Sequence, residues 1–216
     1  AIVRNTFPEL KTTTIKTWHQ WVSQDIGNWR DSGPPTHRII DHKRKFDWEV
    51  MFIALDRPQD AKKLLSMELS DAWINEAKEV PKAILDALTG RVGRYPPRDG
   101  DFGCTDPQIL MDTNSPDTDH WWYVLAERDV SNERNRLMHQ DMAEIEAELQ
   151  KQGVLDAGQP LFQFFAQPGG ESEQAENLSH LTPGYYLKAK AGKDREWVKV
   201  YVDGEYGFVL DGKPVY

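Results

Sequence analysis

The chain has 216 residues, 35 acidic against 26 basic side chains for a net charge of −9, and a single cysteine, Cys104. One thiol excludes a disulfide framework and a cysteine zinc centre, and fits a reducing compartment. The acidic balance argues against a surface given wholly to nucleic acid, and no apolar run approaches the roughly 18–20 residues needed to span a bilayer.

Eight Trp and eight Phe point to a packed core in one large domain or a domain and a half, and away from wholesale disorder. In chain order, residues 2–4 read as the end of a buried strand. Residues 9–23 carry Leu10, Ile15, Trp18 and Val22 at roughly helical spacing. A loop rich in Gly, Ser and Pro covers 27–35. Residues 38–40 and 48–55 form two strands of a hairpin around the basic run His42-Lys-Arg-Lys45. That run reads either as solvated surface or as a local DNA contact. A short helix starts at Arg57-Pro58 and runs through Leu65, with Pro at a position where its missing donor costs nothing. A strand at 72–74 leads, after Val80-Pro81, to an amphipathic helix at 83–88 that stops at Gly90.

The loop 90–97 carries Arg91 and Arg94 among glycines. Residues 108–111 form a strand and about 118–127 a helix. The charged segment 132–151 is a further helix with Met138, Met142, Ile145 and Leu149 on one apolar stripe. Residues 161–165 read as a strand ended by Gln167-Pro-Gly-Gly170, and 197–202 as one more short strand or helix. Strands alternating with helices imply an α/β fold with a three-layer, mostly parallel sheet.

Two strand ends carry the chemistry. Ile109-Leu-Met-Asp112 runs into Thr113-Asn-Ser-Pro and then Trp121-Trp-Tyr123, and Ala72-Trp-Ile-Asn-Glu76 ends in an amide and an acid. Ligands of α/β proteins bind beyond the carboxyl ends of parallel strands, so polar tips here suggest the switch region of an ATPase. Each has a plainer reading. Glu76 suits a solvated helix N-terminus, Asp112, Thr113 and Asn114 suit an Asx turn or cap, and Trp121 to Tyr123 suit packing better than base stacking. His120 follows Asp117 and Asp119 on one tight turn that does not close a metal site, and the other histidines are scattered. No metal site is assigned.

These residues resemble the large terminase subunit of tailed bacteriophages, the motor that packages DNA into the empty head. The resemblance runs along nearly the whole chain. It rests on Val3-Arg-Asn-Thr-Phe-Pro-Glu-Leu10, Phe52-Ile-Ala-Leu-Asp-Arg-Pro58, Ala72-Trp-Ile-Asn-Glu-Ala77, Asp112-Thr-Asn114 and Gly204-Glu-Tyr-Gly207, in that order. It implies a sheet of the additional-strand P-loop ATPase type lacking its first, phosphate-loop segment, since no G-x-x-x-x-G-K-[ST] occurs. Residues 1–203 would be the ATPase domain, 129–203 including a lid subdomain, and 204–216 a linker toward a nuclease domain. Both chain ends read as cut.

By the same resemblance Glu76 is the catalytic glutamate that activates water. Asn75, where most such motors have Asp, would assist Mg²⁺ without bringing charge to it. Asp112, Thr113 and Asn114 would sense the nucleotide and couple its state to DNA. The trans-acting basic residue would lie at Lys62 or Lys63, with Arg91 and Arg94, and then Arg4, as alternatives by chemistry. ATP and Mg²⁺ are the implied cofactors. Double-stranded DNA, the portal protein, the small terminase subunit and sibling subunits of a ring are the implied partners. The implied location is the host bacterial cytoplasm, transiently on the procapsid and not in the mature virion. The chain by itself is expected to hydrolyse ATP poorly or not at all. Rival readings are a non-catalytic prophage remnant or binding scaffold, and a helicase-like ATPase fragment.

Overall fold

Ile2 and Val3 are buried, and strand β1 (Ile2–Arg4) has no exposed face, as a strand flanked by parallel neighbours requires. The computed structural model describes residues 1–100 and 103–209; residues 210–216 of the expected linker lie outside them. Described contacts divide the chain into two units, Ala1–Thr113 and a second from Asn114 onward.

After β1, Thr6 caps helix α1 (Phe7–Glu9), with Pro8 in its first turn. The chain then widens into a π-helical turn, Leu10–Thr14, before α2 (Ile15–Trp21). The π turn explains the sequence spacing. Leu10 and Ile15 lie five apart, and the Ile15 N–H donates to the Leu10 carbonyl, so both apolar side chains reach the core. The segment expected to be wholly loop contains strand β2 (Asn28–Arg30). A short polar strand lacks the apolar alternation that would announce it; its pairing with β3 (Thr36–Asp41) creates it. Gly27 enters β2 at φ +80°, and a Cβ there would lie 2.2 Å from the Arg38 carbonyl oxygen.

The expected hairpin is present. β3 pairs antiparallel with β4 (Phe46–Ala54), and the Asp41 carboxylate accepts the amides of Lys43 and Arg44 in the basic turn. A 3₁₀ turn at Pro58–Asp60 leads to α3 (Ala61–Leu64). β5 (Ala72–Asn75) is followed by a second 3₁₀ turn, Ala77–Glu79. Next come α4 (Lys82–Thr89), which buries Ile84, Leu85 and Leu88, and β6 (Ile109–Asp112).

The resulting six-stranded sheet has the order β2-β3-β4-β1-β5-β6. β4, β1, β5 and β6 are parallel, and β2 and β3 are added antiparallel at one side. The fold of this unit is therefore mixed α/β with a mostly parallel sheet. Ile2, Leu10, Ile15, Val50 and Phe52 form a core against α2, with Trp18, Trp29 and Trp73 packed on it. Burying each such aliphatic or aromatic side chain is worth about 1.5–3 kcal/mol. His37, fully buried beside them, accepts from Trp18 Nε1 at 2.9 Å, which makes it a satisfied core histidine rather than a ligand.

The second unit is helical: α5 (Trp121–Ala126), α6 (Glu133–Lys151), α7 (Tyr185–Ala189) and α8 (Arg195–Tyr201). α5 is shorter than expected because His120 caps it, Nδ1 accepting from the Trp122 amide at 3.1 Å. Trp122 packs edge-on against Phe164 and Tyr123 against Tyr206, so these aromatics serve packing. Residues 161–165 are not a strand. Leu161, Phe162, Phe164 and Phe165 make the segment apolar enough for a strand, but among the described residues no neighbouring strand supplies a ladder. Residues 195–201 are helical, capped by Asp194, and α7 gave no sequence signal. Among the described residues no helix is long and apolar enough to cross a membrane.

Candidate active site at the strand tips

The carboxyl ends of β1, β5 and β6 place Arg4, Asn75 and Asp112 on one edge of the parallel sheet. The chain leaves β1 toward β4 and leaves β5 toward β6, so the two connections diverge between adjacent strands. Such a switch point opens a crevice at the strand tips.

Register sets the first contact. Asn75 lies opposite Asp112, and its Nδ2 donates to Asp112 Oδ2 at 2.9 Å. Trp73, two residues earlier and hence on the same face, donates from Nε1 to Asp112 Oδ1 at 2.6 Å. Asn75 Oδ1 accepts from Thr14 Oγ1 at 2.7 Å. Asp112 is thus fixed through both oxygens, and the Asn75 amide ties the π turn to β6.

Glu76 comes next, with φ 54° and ψ 58°, a left-handed conformation unfavourable for a residue with a side chain. Its amide faces Asp112 Oδ2 at 3.5 Å, and its Oε2 is buried without a hydrogen-bond partner. A buried acceptor left unsatisfied costs about 1–3 kcal/mol. Backbone strain and an orphan carboxylate oxygen at one residue are features that cluster where function opposes stability.

Arg4 holds the turn that carries Glu76. Its side chain is only 8% exposed; Nη1 donates to the Asn75 carbonyl at 3.4 Å, and Nη2 lies 3.2 Å from Glu79 Oε2. Burial raises the Glu79 carboxyl above its ordinary range. The Arg4 charge opposes that shift, while the carboxylates of Glu9 and Glu76 add to it. The site is therefore rich in carboxylate, with one buried guanidinium inside it.

The remaining expected residues lie in varied places. Thr113 Oγ1 accepts from the Lys78 amide at 3.3 Å, which joins the end of β6 to the turn after Glu76. Asn114 is exposed at the start of the second unit. Lys62 and Lys63 are exposed on α3, and Lys63 pairs with Asp60 at 2.7 Å. Arg91 and Arg94 follow α4, where their backbones bond to Leu69. Among the described residues no hydrogen bond or ion pair joins any of these four cations to Glu76 or Asp112. Sequence reasoning missed Trp73, Thr14 and Glu79. Trp73 was detectable from its i, i+2 relation to Asn75; Thr14 and Glu79 were not, because their partners are set by the sheet order.

No family model matches the sequence, and no curated protein matches it. Solved structures share its fold, among them two crystal forms of one protein. One is the large terminase from a thermophilic bacteriophage in crystal form 2, with a TM-score of 0.60 and 10% identity over 95% of this chain and 40% of that one. The other is the same terminase in crystal form 3, with a TM-score of 0.56 and 11% identity over 95% of this chain and 39% of that one. The chain spans about two-fifths of that terminase. The likeness establishes a shared fold: a mixed α/β chain of the kind seen in a bacteriophage large terminase.

Proposed function

We propose that this chain belongs to a viral DNA-packaging motor and forms part of the ATPase that couples hydrolysis to translocation of double-stranded DNA into a procapsid. The observation that carries the reading is Glu76: a strained residue at a parallel-strand tip whose buried Oε2 lacks a partner, beside the fixed Asn75–Asp112 pair. An acceptor so placed suits a general base, with Glu76 Oε2 taking a proton from an attacking water. Asp112 and Thr113, bonded to the two sides of the Glu76 turn, would report a change at that turn along β6 and into the chain from Asn114 onward.

The residues fit ATP with Mg²⁺ in one respect and limit it in another. The orphan acceptor fits a water-activating role. Among the described residues no group of three or more His, Cys, Asp or Glu could hold a metal ion, and the Asn75 amide oxygen already accepts from Thr14. Mg²⁺ would therefore be held chiefly by nucleotide phosphates, whose charge it neutralises when bound. Lys62, Lys63, Arg91 and Arg94 are exposed or half-exposed cations available to a neighbouring subunit. The portal protein, the small terminase subunit and sibling subunits in a ring are the partners this reading assigns, and the bacterial cytoplasm its setting.

The test is nucleotide chemistry in a longer form of the protein that supplies a phosphate-binding loop. Mg²⁺-dependent ATP hydrolysis is expected there, with Glu76→Gln retaining ATP binding and losing about 10²-fold or more in kcat. Full turnover by Glu76→Gln would overturn the assignment. A second reading, a non-catalytic scaffold, is favoured by Asn75: its amide is committed to structural bonds and brings no charge to a metal. Failure of the longer protein to bind Mg·ATP would select that reading.

A further inference from the structure

Helix α6 buries the opposite of what its composition suggests. Its inward side chains are polar: His139, with Nε2 2.9 Å from the Val124 carbonyl, and Glu146, held by Arg128 Nη2 at 3.1 and 3.2 Å and by the Leu161 amide at 2.9 Å. Its apolar residues lie at the surface. Leu137 and Ile145 are 50% and 51% exposed, and Met138 and Met142 are half-buried beside them. Isolated exposed apolar residues are ordinary, but a contiguous stripe at 3–4 spacing is not. With Glu133, Arg134 and Asp141 these side chains line a groove of about 750 Å³. Met142 also lines a second groove of about 540 Å³, of mixed character, with Leu125, Arg128, Phe162, Phe164 and Phe165.

Charge narrows the occupant. Residues 141–148 carry Asp141, Glu144, Glu146 and Glu148 and no base. Glu146 is neutralised internally by Arg128, and Glu148 by Lys151 at 3.5 Å. Among the described residues no side-chain hydrogen bond or ion pair engages Asp141 in the middle of the stripe or Glu144 beside it. The groove itself is lined by two acids, Glu133 and Asp141, and one base, Arg134. A second copy of α6 packed antiparallel with its two-fold axis at Asp141 would set that acid against its own image, whereas a basic partner helix meets Asp141 and Glu144 in any register.

We propose that this face of α6 docks an amphipathic helix of a second protein. Its apolar residues recur every three to four positions, and Lys or Arg on its flanks meets Asp141 and Glu144. The inference is independent of the nucleotide reading and stands or falls without it.

The probe is a synthetic helical peptide of about 18 residues, with Leu at i, i+3/i+4 and i+7/i+8 spacing and Lys on both flanks, long enough to hold a helix on docking. A matched peptide carries Glu in place of Lys. Fluorescence anisotropy at about 0.1 M salt is expected to give a Kd on the order of 10 μM for the Lys peptide and at least tenfold weaker binding for the Glu peptide. Asp141→Lys should narrow or reverse that preference. Leu137→Glu combined with Ile145→Glu should abolish binding while leaving the thermal melt unchanged, because both side chains are exposed. Equal binding of the two peptides, binding retained by the double variant, or no binding at all would overturn the proposal. So would concentration-dependent dimerisation lost in the double variant, which would assign the face to a second copy of the chain.

Discussion

Asn75 donates to Asp112 at 2.9 Å across the β5–β6 pair while the other end of its amide accepts from Thr14 at 2.7 Å. A neutral side chain with one donor end and one acceptor end is what allows a hydroxyl and a carboxylate to meet there. A carboxylate at position 75 could still accept from Thr14, but it would face Asp112 as a like charge.

Asn75→Asp is therefore expected to destabilise the chain by about 1–3 kcal/mol, through the lost donor and the new repulsion. The paired carboxylates should also create a cation site. Millimolar Mg²⁺ should raise the Tm of Asn75→Asp and leave that of the wild type unchanged. Thermal melts with and without Mg²⁺ measure both effects. An Asn75→Asp melt indifferent to Mg²⁺ would show that the two tips do not converge on a cation.

Glu76 should trade stability for function. Glycine adopts φ 54° at no steric cost, and the substitution removes an unsatisfied buried oxygen. Glu76→Gly is expected to stabilise the fold by about 1 kcal/mol in urea titration. Glu76→Gln, which keeps the strained backbone, should gain less. A less stable Glu76→Gly would mean that the carboxylate holds the turn through its own contacts.

The Glu79 carboxyl binds its proton more tightly in the folded chain than an ordinary carboxyl does, because burial and the neighbouring Glu9 and Glu76 outweigh the attraction of Arg4. Between the unfolded and folded titration points folding takes up a proton. The contribution to stability is thus fully present at low pH and is lost as pH rises through the folded value. The wild type should lose stability relative to Glu79→Gln as pH climbs above about 4.3, the ordinary glutamate value. The opposite slope in paired denaturation curves would mean that Arg4 dominates the site.

Several elements were legible in the sequence because local physics specifies them. The helical segment around Leu10 and Ile15, the hairpin around the basic turn, and the apolar strands ending near Asn75 and Asp112 all follow from period and turn chemistry. The π turn at Leu10–Thr14 and the closure by Asp41 emerged only in the structure. The sequence pattern placed Asn75, Glu76, Asp112 and Thr113 at strand ends; the pairing of β5 with β6 brings those ends together. Tertiary structure alone decided what depends on partners distant in the chain. The order β4-β1-β5-β6 brings Arg4 to the Glu79 turn and Thr14 to Asn75. Residues 161–165 are apolar like a buried strand yet have no ladder, because a strand exists only with a neighbour. Helix α6 shows the same limit: its pattern gave the helix, but not which side would be covered. Periodicity fixes how side chains are arranged around an element, and only packing against a partner decides which of them leave water.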